Sequence, residues 1–350
     1  MNSSVLSDLI TVFHPAYVQF VFPTYHMSSR ASLNAPPGLR ETWRQLDQGI
    51  LPEHLGGKPN PKSTASQPTM PDSRTKVAII GYGLSAKIFH IPLILALPDS
   101  YTLHSIVQRN PTPSSSAQTD HPSITTYRTV DAMLADAAVD LVIVTTTPET
   151  HFELASQALE SGKHVVVEKP FVPTSAEARK LSALAKAKGL LLAVYQNRRW
   201  DVDFLTLKQV LTQGTLGHVA EFESHFDRFR PSVPEAGQVT WKNKVVPAGG
   251  ALFDLGSHLI DQVYALYGVP KSVWGVVQVQ KKGLKIGQVA PDACTVVLRY
   301  GSEEEETLVT VKSSSISAGE TLRYWVRGDK GSFKKVSLIS SISIPVVGRA

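Results

Sequence analysis

The sequence predicts an α/β protein: a doubly wound parallel sheet of Rossmann type in its first half, then an α+β domain with a mostly antiparallel, open sheet. Three observations predict it. Short apolar runs alternate with helical patterns from residue 76 to residue 196, the pattern of parallel βαβ units. The first of those runs ends in a glycine-bearing turn. From residue 272 onward strand patterns follow one another across short turns, as antiparallel strands do. The 350 residues, 42% hydrophobic and 19% charged, suffice for about two domains and argue against wholesale disorder.

Each element follows from its own residues. Residues 76–81 are an apolar run closed by glycine and read as a strand. A helical pattern covers 86–97, a strand 101–108, a Pro/Ser-rich loop 110–118 and a short strand 123–127. Asp131 is placed to cap a short helix over 132–137. The run 139–146 is apolar apart from Asp140 and its closing threonines, as a parallel strand buried on both faces should be. A helix at 151–161, a strand at 164–168, a helix at 175–188 and a strand at 190–196 complete the alternation. Beyond it, 203–212 reads as a helix, 219–229 as a long strand and 252–267 as a strong helix. Strands follow at 272–281, 292–300, 306–315 and 321–328, with turns at 282–283, 301–305 and 317–320.

The ends differ from the middle. Residues 1–75 are proline-rich with little periodicity, and such a stretch buries too little apolar surface to offset its chain entropy. It is expected to be a disordered extension, or to precede a true start at Met70, from which the chain runs straight into the first strand. The uncharged stretch 11–26 lacks a basic flank, which argues against a secretory signal. The expected organisation is therefore extension 1–75, dinucleotide-binding domain 76–197, substrate and oligomerisation domain 198–335, and an atypical tail 336–350.

Composition excludes several classes. No apolar run approaches the roughly 20 residues of a membrane helix, so no spanning segment is expected. Cys294 is the single cysteine, which excludes an internal disulfide and a Cys-only metal site and suits a reducing, cytoplasmic setting. The net charge of +5 is spread along the chain and gives no reason to expect nucleic acid. The acidic run 303–306 reads as a solvated hairpin tip.

Gly81, Gly83 and Ala86 match G-x-G-x-x-A, with Leu84 and Ser85 opening the helix that follows. The first glycine permits the tight turn, the second lets backbone approach a pyrophosphate, and the small third residue lets helix and strand pack. The helix start then offers free N–H groups to phosphate. At the end of the second strand an acid would hold the ribose of NAD. Here stand Gln108, Arg109 and Asn110. A guanidinium pairs with a 2′-phosphate and a carboxylate repels it, so Arg109 points to NADP over NAD. The alternative is a solvated loop arginine.

Three later segments carry candidate chemistry. Thr146, Thr147, Pro148 and His151 close the apolar strand, at the sheet edge where ligands lie in doubly wound folds. Glu168 and Lys169 close the next strand. A lysine there can stabilise a developing alkoxide; the alternative is a surface cation. In the run 249–261, Asp254 and His258 stand four apart, on one helix face. An imidazole beside a carboxylate can accept a proton near neutral pH. The alternatives are a capping Asp with a core His, or a metal pair, for which no third ligand is evident.

Together these segments resemble the Gfo/Idh/MocA family, the glucose–fructose oxidoreductase and inositol dehydrogenase group, from about residue 76 to 335. The resemblance rests on Gly81-x-Gly83-x-x-Ala86, Thr147-Pro148-x-x-His151, Glu168-Lys169-Pro170 and Gly249-Gly250…Asp254-x-x-x-His258 in that order. It implies hydride transfer between a nicotinamide and a hydroxyl-bearing carbon of a small polyhydroxylated or carbonyl substrate, without a metal. It implies Lys169, Asp254 and His258 as the catalytic group, and a position at Lys169-Pro170 where the family often has a cis peptide bond. Gln196, Arg199 and Trp200 match a segment that borders cofactor and substrate in the family, and Arg228, Arg230 and Trp241 are further substrate candidates. A homodimer or homotetramer built on the open sheet is also implied. Because fold alone does not imply catalysis, a non-catalytic NADP-sensing regulator is one competing expectation; members usually continue well beyond residue 335, so an inactive shortened member is the other.

Overall fold

The computed structural model describes residues 74–232, 239–319 and 321–337. Most of the expected N-terminal extension, Met70 included, and all of the expected tail beyond Ser337 lie outside them, as does Glu320 in the expected 317–320 turn. Two compact units result. Of the described residues, one contains 74–168 with Arg179–Tyr195, the other Lys169–Ala178 with 196–232, 239–319 and 321–337.

The first unit holds a six-stranded sheet: β1 (Thr75–Ile80), β2 (Tyr101–Val107), β3 (Thr125–Tyr127), β4 (Leu141–Val144), β5 (His164–Val167) and β6 (Leu192–Val194). The strand order is β3-β2-β1-β4-β5-β6 and every pairing is parallel. The order reverses between β1 and β4, the switch point beyond whose strand ends such sheets bind ligands. Val77, Ala78, Ile79, Val142 and Val144 are fully buried, which is why these strands read as continuous apolar runs. Each buried aliphatic side chain contributes roughly 1.5–3 kcal/mol. Ile91 and Ile94 of the helix Ile91–Ala96 join Val77, Ile79 and Ile106 in one core.

Local signals moved several boundaries. The helical pattern after the glycine turn is a π turn, Ala86–His90, continued by that helix. A short helix, Ala117–Asp120, replaces part of the expected loop. Thr129, not Asp131, caps the helix Val130–Leu134: its side chain accepts a hydrogen bond from the Ala132 N–H at 3.3 Å, and Asp131 sits in the first turn. The next helix, Pro148–Glu160, starts at Pro148, because a proline lacking its N–H is best placed at the first helical position.

The second unit holds β7 (Val219–His225), β8 (Ser272–Gln278), β9 (Ala293–Gly301), β10 (Glu306–Ser314), β11 (Thr321–Gly328) and β12 (Ser332–Ser337). The order is β12-β11-β7-β10-β9-β8. All pairs are antiparallel except β7 with β10. β12 runs two residues past the boundary expected at 335. β7 ends at His225, short of the expected 229. One face of the sheet is buried through Phe222, Val296, Leu298, Val309, Val311 and Val326. The helix Ser257–Tyr267 lies on it, with Tyr267 edge-on to Phe222 and the Tyr324 hydroxyl donating to Gln262 Oε1 at 3.0 Å.

Candidate active site

In the first unit the glycine turn follows β1. Gly81 has φ +102°, and a Cβ there would stand 2.9 Å from Thr145 Oγ1 and 3.3 Å from Thr145 O. Only glycine fits both demands. The Thr145 hydroxyl donates to Ile80 O at 3.0 Å and ties the ends of β1 and β4 together. A Cβ on Gly83 would meet nothing within 4 Å, so this backbone borders open space. Leu84 is exposed, Ser85 is half-buried with a hydroxyl that has no partner, and Ala86 is fully buried. An open glycine, an unpartnered hydroxyl and a small packed residue fit a pyrophosphate cradle.

Arg109 is exposed just past β2. Gln108 beside it fixes the loop, its Nε2 donating to Ser115 O at 2.8 Å and its Oε1 accepting from Ala117 N at 2.7 Å. Thr146 and Thr150 share a hydroxyl hydrogen bond at 2.7 Å, Thr147 precedes the helix in extended conformation, and Pro148 is buried. His151 is fully buried with Nε2 3.1 Å from Thr146 O. From within the core of this unit it braces the loop that follows β4. Glu168 is buried too, 2.8 Å from His90 Nε2, and His90 packs on Tyr195 with ring centres 4.2 Å apart.

In the second unit the Lys169–Pro170 peptide is cis. Lys169 Nζ donates to Asp254 O and to Asp254 Oδ1, each at 3.0 Å. Lys242 Nζ reaches the same Oδ1 at 2.8 Å. Both ammonium groups lie over the half-buried Trp241 ring, 5.9 and 5.5 Å from its centre. Asp254 belongs to a π turn, Leu252–Gly256, seated by Gly250, whose φ is +92° and whose Cβ would stand 2.8 Å from Pro291 O. Burial works to raise the Asp254 pKa, but the two lysines more than reverse it, to about 2.

His258, in the first turn of the next helix, is 5% exposed and its Nδ1 has no hydrogen-bond partner. Burial, then the charges of Lys169, Arg198 and Lys242, hold its pKa well below 6.5 against the pull of Asp254. The imidazole is therefore neutral at pH 7. One expectation changes here. The Asp254 carboxylate is engaged by two lysines, and no hydrogen bond joins it to His258.

The 196–200 segment divides. Arg199 makes a two-pronged pair with buried Asp261, both bonds 2.7 Å, so its guanidinium serves the packing of this unit. Trp200 is 38% exposed, and Gln196 is buried with an unpartnered Oε1. Arg198 pairs with Asp201 at 2.9 Å and lies over Phe226. Arg228 lies over the same ring at 5.1 Å. Sequence reasoning missed Lys242, Arg198 and Asp261. Lys242 stands in an aperiodic stretch, and its only signal was its place between Trp241 and the Gly249-Gly250 pair.

Comparison with known proteins decides the relationship. Residues 75–196 match a family model described as an oxidoreductase family with an NAD-binding Rossmann fold, and residues 204–334 match the GFO/IDH/MocA C-terminal domain. The chain belongs to the Gfo/Idh/MocA oxidoreductase family. A relative in Schizosaccharomyces pombe, the uncharacterized oxidoreductase C115.03, is 41% identical over 74% of this chain and 70% of its own. The scyllo-inositol 2-dehydrogenase (NADP(+)) IolW of Bacillus subtilis is 36% identical over 75% of this chain and 69% of its own. Among solved structures, an oxidoreductase from Bacillus cereus is 32% identical with a TM-score of 0.65, covering 75% of this chain and 70% of that one. This Gfo/Idh/MocA member is thus an oxidoreductase with an NAD-binding Rossmann fold. Among its described residues no helix is long and apolar enough to cross a membrane.

Proposed function

We propose that the protein is an NADP-dependent dehydrogenase or reductase acting on a hydroxyl or carbonyl carbon of a small sugar, polyol or related carbonyl compound. The observation that carries this reading is the Lys169–Asp254–His258 group: a lysine fixed by an ionised carboxylate, beside a buried neutral imidazole. When bound, NADP supplies the hydride acceptor or donor. Lys169 donates a hydrogen bond to the reacting oxygen and stabilises its alkoxide character. His258 takes the hydroxyl proton as the alcohol is oxidised and returns it in reduction. Asp254 holds Lys169 in place through two hydrogen bonds. Arg109 would pair with the 2′-phosphate, and the NADP-linked dehydrogenase of Bacillus subtilis supports that choice.

A steady-state screen of polyols, aldoses and carbonyl compounds with NADP(H) and NAD(H) tests the reading. Turnover is expected with NADP(H), and Arg109→Ala should lower NADP affinity more than NAD affinity. A clear preference for NAD would overturn the NADP assignment. Tight NADPH binding without turnover of any substrate would favour the non-catalytic regulator.

We also propose a cytoplasmic homo-oligomer. Trp274, Leu308 and Trp325 are exposed on one face of the second sheet, linked by the cross-strand pairs Trp274–Val297, Val297–Thr310, Thr310–Glu223 and Glu223–Trp325. Apolar patches of this kind suit an interface. Sedimentation would show a dimer or tetramer, and a monomer at micromolar concentration would refute it.

A further inference from the structure

The charges around Asp254 do not balance. After β7 the segment 226–230 stays extended, with Phe226 N, Arg228 N and Arg230 N donating to Lys312 O, Ser314 O and Ser315 O at 2.9, 2.8 and 2.6 Å. Alternate residues of an extended chain share a side, so Phe226, Arg228 and Arg230 project together. The aspartates of this unit have other partners, and that includes Asp227, next to Arg228 in the chain, which accepts from Ser314 N at 2.9 Å and lies 3.4 Å from His225 Nδ1. Asp201 holds Arg198, Asp203 holds Arg323, Asp261 holds Arg199, and Asp254 holds both Lys169 and Lys242. Arg228 is left over. It is half-buried, rests on the Phe226 ring, and among the described residues no carboxylate pairs with it.

That arrangement works against folding stability. Burial lowers the Arg228 pKa, and Arg230 and Arg198 lower it further, while Asp254 only partly compensates. A neutral polyol needs hydroxyl partners and gives no reason to hold a spare guanidinium in the field of an aspartate that two lysines already engage. An anionic oxygen group does, because the planar fork of arginine matches carboxylate and phosphate alike, and a patch of one sign raises the local concentration of its counter-ion.

We infer that the substrate of this site carries an anionic oxygen group, a carboxylate or a phosphate ester, and that Arg228 is the residue that binds it. The inference rests on the oxidoreductase reading for its reacting carbon, and adds the charge of the molecule that bears that carbon. Arg230, exposed on the same side, adds attraction at longer range.

Calorimetric titration of the full chain with malonate, and separately with inorganic phosphate, tests it without turnover. Saturable binding of one or both is expected, weakened at least tenfold in Arg228→Gln and less in Arg228→Lys. The tighter of the two distinguishes carboxylate from phosphate. Should Arg228→Gln fail to fold, Arg230→Gln on the exposed side should still weaken binding severalfold. No saturable binding of either anion, or binding that these variants leave within twofold, overturns the inference. Kinetics with D-glucose, D-glucuronate and D-glucose 6-phosphate separate the two readings. Turnover of neutral substrates without anion binding keeps the oxidoreductase and removes the anion. Anion binding without any nicotinamide-linked turnover does the reverse.

Discussion

The Lys169 ammonium lies 3.0 Å from both the backbone oxygen and the Oδ1 of Asp254. Two acceptors on one residue fix the direction of a side chain that would otherwise sample many rotamers. Lys169→Ala should therefore lower kcat by about 10²–10³ or more, the scale of losing one electrostatic stabiliser. NADPH binding, followed by fluorescence titration, should change little. Wild-type turnover in this variant would remove Lys169 from the chemistry.

Asp254 also matters to the fold. Its pKa is held near 2, below the ordinary 3.8. The stability it contributes is present above pH 3.8 and is lost as pH falls from there towards 2. Asp254→Asn removes the negative charge that pairs with two ammonium groups, one of them mostly buried. A thermal melt at pH 7 should show a clear drop in Tm, and the drop should shrink as the pH approaches 2.

His258 has the opposite sign of charge and the same direction of shift. With its folded pKa well below 6.5, the unfolded chain binds the proton first. Stability is full above pH 6.5 and declines as pH falls below it. The slope of Tm between pH 7 and pH 5 should be shallower in His258→Gln than in wild type. The acid limb of kcat/KM for alcohol oxidation should likewise lie below pH 6.5. A limb centred at 6.5 would mean the imidazole is not desolvated in the working enzyme.

Arg199 and Asp261 form a buried fork. Removing either partner leaves an uncompensated charge, at a cost of about 3–5 kcal/mol. A double-mutant cycle of Arg199→Ala and Asp261→Ala should show strong coupling in urea melts. The KM for NADP should hardly move in whichever single variant folds.

Gly81 and Gly83 should separate in their effects. Gly81→Ala forces a side chain into positive φ against Thr145 and should cost about 1–3 kcal/mol. Gly83→Ala meets nothing within 4 Å, so its stability should stay within about 0.5 kcal/mol of wild type. Its NADPH affinity should fall tenfold or more, because the added methyl occupies the space a pyrophosphate needs. Unchanged affinity would mean the turn does not cradle phosphate.

The fold class was legible because alternation of apolar runs and helical patterns is written locally, within windows of ten to fifteen residues. Lys169 and Asp254 were each flagged by a motif, although 85 positions separate them. What the sequence did not show is how charges pair across such distances. The pairing of Arg199 with Asp261, 62 positions away, has no local signal. Lys242 carried no motif, and His151 matched one yet sits in the core. Helix starts moved for a similar reason: Thr129 and Asp131 are both good caps, and only the backbone geometry of the folded chain selects between them.

Arg228, Arg230, Trp241 and Lys242 all come from the single connection between β7 and the π turn, whereas Lys169 and His258 stand on other elements. The parts that would recognise a substrate are thus carried separately from the parts that would transform it. Descendants of this chain could exchange or lengthen that one connection and acquire new molecules to act on, with the proton-handling machinery and both sheets inherited intact.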